Sequence, residues 1–139
     1  MARGPIVAID SITLVEGVGV EGDRNAGTPR QVTLVSTGEL AAAAEAAGLD
    51  TIDGLKTRRN IVVDIAMLPR AHRTRIKIGE AELLVWRDCP PCELMDEVFG
   101  EGTRDAMAKR AGLSATVHIG GQIDIGDQVT VLERNPKSG

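Results

Sequence analysis

The stretch S-T-G-E-L-A-A-A-A-E-A-A-G, Ser36 to Gly48, constrains the fold most, because it is the clearest helix among short β-branched runs. Ser36 is a capping hydroxyl, Glu39 completes a capping box three residues on, and Gly48 supplies the stop. Leu40, Ala44 and Ala47 share one face, so this helix packs closely on a neighbour through small side chains. Before it, G-P-I-V-A-I-D-S-I-T-L-V reads as an opening strand and R-Q-V-T-L-V-S as a second. After it, R-N-I-V-V-D-I is a strand buried on both faces. R-T-R-I-K-I-G and E-A-E-L-L-V-W alternate on either side of Gly79-Glu80, which predicts a hairpin. C-E-L-M-D-E-V-F-G and T-R-D-A-M-A-K-R-A-G read as short helical segments, and A-T-V-H-I and Q-V-T-V-L close the chain as strands. The order does not alternate strand and helix, which disfavours a doubly wound parallel sheet. It favours a mostly-β barrel with a few short helices packed on it.

A chain of 139 residues fits one domain, with a core over about 10–133 and a tail at 134–139. Trp86 and Phe99 are the only aromatic side chains, so the core must be aliphatic and base-stacking platforms are absent. A net charge of −4 gives no ground for nucleic-acid or membrane-surface binding. No apolar run reaches ~18 residues. The opening M-A-R-G-P-I-V-A-I-D lacks a secretory pattern, and with two cysteines a reducing cytoplasm is expected, without a structural disulfide. Glu16 to Pro29 is a long, glycine-spaced loop of the kind that carries function. From Lys56 to Lys77 lie seven basic residues against one acid, Asp64. Most are read as solvated surface, with two or three able to hold a small anion such as phosphate.

Both cysteines fall in V-W-R-D-C-P-P-C-E-L-M-D, Val85 to Asp96. A thioredoxin-like dithiol would follow an early strand and need a downstream proline against it; this motif comes late, and after Pro91 only Pro136 remains. A zinc site would have to recruit His72 and His118, 46 residues apart and unpaired in spacing, so no zinc is expected. One activated thiol is the third reading. Pro90 and Pro91 fix the backbone ahead of Cys92, and C-E-L-M-D-E-V-F can start a short helix whose N-terminus favours thiolate. Such a thiolate is both a soft ligand and a nucleophile. A free cysteine is more often a small buried hydrophobe, but two prolines and a helix start weaken that reading here. Arg30, Arg59 and Asn60 stand at strand starts beside loops, where a small anion such as phosphate could be grasped. Asp23 reads first as a turn former whose loop could cover a site.

The blocks E-G-D-R-N-A-G, R-Q-V-T-L-V-S-T-G-E-L, G-L-K-T-R-R-N-I-V-V, I-K-I-G-E-A-E-L-L-V, P-C and G-G-Q-I-D-I-G-D-Q-V-T-V-L, in this order, resemble the MOSC domain. That domain ends the molybdenum-cofactor sulfurases and also occurs as short stand-alone bacterial proteins. The resemblance runs from Asp10 to Glu133. It implies a MOSC, pyruvate-kinase-barrel-like fold with Cys92 in the site, as the ligand to molybdenum in a molybdopterin-type cofactor or as the carrier of a persulfide. In the persulfide version Cys89, where the family has an arginine, is the candidate resolving thiol; Asp23, Arg30, Arg59, Asn60 and Arg87 are the candidate cofactor contacts. Reduction of N-hydroxylated compounds or transfer of sulfur is the implied chemistry, with a small-molecule substrate or sulfur donor and an external electron donor protein. Pyridoxal phosphate binding comes with the family as an association alone. Three positions depart from the family pattern: Asn25 replaces a histidine, Cys89 replaces an arginine, and Arg59 replaces an acid.

Overall fold

The computed structural model describes residues 3–9, 13–22, 27, 31–53, 59–88, 99–100, 102–107, 110 and 112–134. Its strands are β1 (Arg3–Ile9), β2 (Thr13–Val15), β3 (Gly19–Val20), β4 (Val32–Ser36), β5 (Ile61–Val63), β6 (Thr74–Ile78), β7 (Ala81–Asp88), β8 (Leu113–Ile119), β9 (Gly121–Gln122) and β10 (Gln128–Arg134). Among the described residues they are accompanied by helices α1 (Thr37–Ala47) and α2 (Thr103–Ala106). Seven strands close a barrel in the order β1-β10-β6-β7-β8-β4-β5, and a small sheet runs β3-β2-β9. The mostly-β barrel expected from the sequence is the observed fold. Among the described residues no helix is long and apolar enough to cross a membrane.

Alternation along the strands divides the apolar residues into two cores. Val32, Leu34, Ile61, Val63, Ile76, Ile78, Leu83, Val85, Leu113 and Ala115 point into the barrel. Val35 and Val62 point the other way and pack with Leu40, Ala43, Ala44 and Met107 beneath the helices. This is why I-V-V in β5 is apolar throughout: all three residues are buried, on two different faces.

The cap forms as the sequence predicts. Ser36 Oγ accepts from Glu39 N at 3.2 Å, and Gly48 takes the left-handed conformation at φ 72°. Glu39 does more than cap: Oε1 accepts from Ser36 Oγ at 2.8 Å and from Leu68 N at 2.9 Å, and Oε2 is ion-paired with Arg70. The Gly79-Glu80 hairpin is present, with Ile78 paired to Ala81.

Three local expectations need correction. The opening run is two strands in two sheets, β1 in the barrel and β2 in the small sheet. The glycine-spaced loop contains β3, which pairs with β2 through Leu14–Val20. The last strand continues through Glu133 and Arg134, with Arg134 paired to Thr74, so it takes in residues assigned to the tail. One relation was not foreseen: β4 and β5 are parallel, joined across α1, with Leu34 beside Ile61 and Ser36 beside Val63.

Candidate functional site

Four polar residues lie in register across four neighbouring strands. Asn60, immediately before β5, exchanges hydrogen bonds with Thr33 of β4: Oδ1 accepts from Thr33 N (2.9 Å) and Oγ1 (3.0 Å), while Asn60 N donates to Thr33 Oγ1 (2.9 Å). Thr33 pairs with Ser114 of β8, and Ser114 pairs with Arg87 of β7. The Ser114 hydroxyl donates to the Arg87 carbonyl at 3.3 Å. Asn60, Thr33 and Ser114 are all buried. They lie on the phase of their strands that faces away from the barrel core, level with the second core. The polar row runs from the end of β7, after which C-P-P-C begins in sequence, through β8 and β4 to the start of β5, which Arg59 precedes.

Arg59 is 5% exposed, an unusual position for a guanidinium and one that demands partners. Arg87 is exposed, and its Cζ stands 5.7 Å from the Trp86 ring centroid. Of the three described candidates, Asn60 and Arg87 thus stand at the two ends of the row, with β8 and β4 between their strands, and Arg59 directly precedes Asn60 in the chain. Asn60 has a structural duty there, because its side-chain carbonyl fastens the parallel pair β4–β5. Cys89, Cys92, Asp23 and Arg30 lie outside the described residues. By sequence Cys89 directly follows Asp88, the last residue of β7.

The basic stretch resolves into separate jobs. Arg70 binds Glu39, and Arg75 approaches Glu82 at 3.8 Å, a surface pair of small energetic weight. Lys77 is exposed, whereas Arg73 buries its Nε. The two histidines are apart: His72 bonds the Trp86 carbonyl, while His118 sits toward the other end of β7, next to the Ile119–Glu82 pair. Among the described residues no group of three or more His, Cys, Asp or Glu is placed to hold a metal. A cavity of about 180 Å³ opens between α1 and residues 50–52, lined by Thr37, Leu40, Asp50, Ile52 and Val62. It is well below the ~300 Å³ at which cofactor and ligand pockets begin, so it is not a pterin site.

Sequence reasoning missed Thr33 and Ser114, and took Arg73 only as one of the seven basic residues from Lys56 to Lys77. Thr33 and Ser114 look like ordinary strand residues, and only strand register reveals their alignment. The unusual backbone of Arg73 has no sequence mark.

A family model described as the MOSC domain matches residues 21–130. The YUAD protein of Bacillus subtilis has a similar structure, with a TM-score of 0.79 and 19% identity, covering 97% of this chain and 98% of that one. YiiM of Escherichia coli superposes with a TM-score of 0.69 at 18% identity, covering 97% of this chain and 71% of that one. None of the curated proteins matches the sequence.

Proposed function

The chain belongs to the MOSC-domain family, and on that footing we propose that it binds a molybdopterin-type cofactor through the Cys92 thiolate and acts on a small oxygen- or sulfur-bearing substrate. The observation supporting this reading is the polar row, which runs through β8 and β4 from the end of β7, where C-P-P-C follows in sequence, to the start of β5, which Arg59 precedes. The donor chemistry fits the group. Thiolate suits a soft metal, and guanidinium forks suit a phosphate or an anionic pterin substituent. When bound, the metal would supply two-electron transfer of oxygen or sulfur.

The chain's own residues hold and orient. Cys92 binds the metal, and the helix start expected at Cys92 favours its charged form. Arg59 and Arg30, which precede neighbouring parallel strands, hold the phosphate. Asn60 keeps those two strands in register through Thr33. With N-hydroxylated compounds as substrates, electrons must come from an external donor protein, since the sequence carries no flavin, haem or iron–sulfur signature.

The C-P-P-C spacing supports a second reading, a sulfur carrier without metal. There Cys92 holds a persulfide, and the Cys89 thiolate attacks the Cys92 sulfur. This forms a Cys89–Cys92 disulfide and releases hydrosulfide; two external thiols, which leave as their own disulfide, then restore both cysteines.

Elemental analysis of protein from cells that make molybdenum cofactor separates the two. Stoichiometric molybdenum, kept in Cys89→Ser and lost in Cys92→Ser, is the expected result. Cyanide-labile sulfur without molybdenum, lost in Cys92→Ser, selects the carrier. Folded, cofactor-replete protein with neither signal refutes both.

A further inference from the structure

Arg73 is the one non-glycine residue with positive φ, 64°, among the described residues. A side chain at that angle strains the backbone where glycine would not. The turn around it is built from other groups: Arg73 N donates to Val85 O at 2.7 Å, and Thr74 N and Oγ1 donate to Ala71 O at 3.1 and 2.7 Å. None of these bonds uses the Arg73 side chain, so glycine would serve the backbone better. The side chain carries a second cost. Its Nε is buried, with no hydrogen-bond acceptor among the described residues. Strain of this kind, kept at one position, is characteristic of sites that bind or switch.

The surroundings say what would be bound. Arg73 N donates to the carbonyl of Val85, which places the Arg73 backbone beside the residue that precedes Trp86. Arg87 lies over the indole at 5.7 Å. His72 meets the ring edge-on, centroids 5.3 Å apart at 64°. Its Nδ1–H donates to the Trp86 carbonyl at 2.9 Å, because a carbonyl can only accept, and this anchors the tryptophan backbone. Among the described residues neither Arg73 nor Arg87 has a carboxylate partner. Two arginines without a carboxylate partner among the described residues thus meet at this corner, Arg87 over the indole and Arg73 in the turn bonded to Val85.

The geometry points to an oxyanion site at this corner, in which Arg73 and Arg87 clamp a phosphate-class anion beside Trp86. No hydrogen bond holds the Arg73 Nε in its buried position. Turning the guanidinium outward therefore sacrifices no bond and gives a buried donor an acceptor. This site stands independently of what Cys92 carries, because its test reads neither metal nor sulfur.

Trp86 is the only tryptophan of the chain, so its emission reports this corner alone. Inorganic phosphate is titrated against the purified full chain at ionic strength held constant with chloride. A saturable change in emission is expected. In Arg73→Gly the apparent affinity should fall at least about tenfold, the scale of a lost charge-assisted bond. That variant relieves the positive φ, so its melting temperature should match or exceed the parent's. Arg87→Gln, at an exposed residue, gives the same reading should Arg73→Gly fail to fold. Glycerol phosphate distinguishes sources: tighter binding than inorganic phosphate means an ester on a larger ligand, and weaker binding means the free ion. The proposal is overturned by no saturable change, by a change that chloride alone reproduces, or by a response left intact in both variants.

Discussion

Asn60, a buried residue, and Arg73, half-buried with its Nε enclosed, have opposite accounts. Asn60 Oδ1 accepts from both donors of Thr33, and the peptide N–H of Thr33 depends on it. Asn60→Ala would strand that N–H in a buried position, which costs about 1–3 kcal/mol. Urea denaturation should show the loss without any ligand present, and unchanged stability would mean that Asn60 is there for binding alone. Arg73 is the reverse case. Its φ of 64° costs roughly 1–2 kcal/mol relative to glycine, so removing the side chain should leave the protein at least as stable while weakening anion binding at least about tenfold. Neither role can be read from the sequence. Asn60 and Thr33 are 27 positions apart, and arginine, unlike glycine or asparagine, gives no signal of a left-handed backbone.

Helix α1 was legible because its signals are local: a cap, an acid three residues on, alanines, and a glycine stop. The Gly79-Glu80 hairpin was legible for the same reason. The division of the opening run into β1 and β2 was not, since both halves alternate alike and only their distant partners differ. The parallel β4–β5 pair escaped because three residues of β5 are too few to announce a partner. Of the site, Cys92 stood out through its prolines and its family motif, while the polar row needed the register of four strands. Packing also reverses a propensity. Alanine is favoured over glycine in a helix by about 1 kcal/mol, yet a Cβ on Gly38 would collide with the Ala66 carbonyl and Cα. Gly38→Ala should therefore destabilise by about 1–3 kcal/mol, seen as a lower melting temperature. A higher one would show that α1 can lift off residues 65–66 freely.

The barrel closes through β1, which pairs with β10 on one side and β5 on the other. Deleting residues 3–9 removes both seams and exposes two strand edges, so the cooperative thermal transition should vanish. A retained sharp transition would mean the remaining six strands close without it. The same seam has a consequence during synthesis. Arg3 pairs with Thr130, a separation of 127 residues (130 − 3). At about 5–20 residues per second, the first strand waits roughly 6–25 s for its last partner to be made. A chain with such distant pairings also folds slowly once complete. Throughout that interval R-G-P-I-V-A-I offers an unpaired edge to any neighbouring nascent chain. Only Pro5, which lacks an N–H, and the charge of Arg3 interrupt it. The yield of folded protein should therefore depend on translation speed and on how closely ribosomes are spaced.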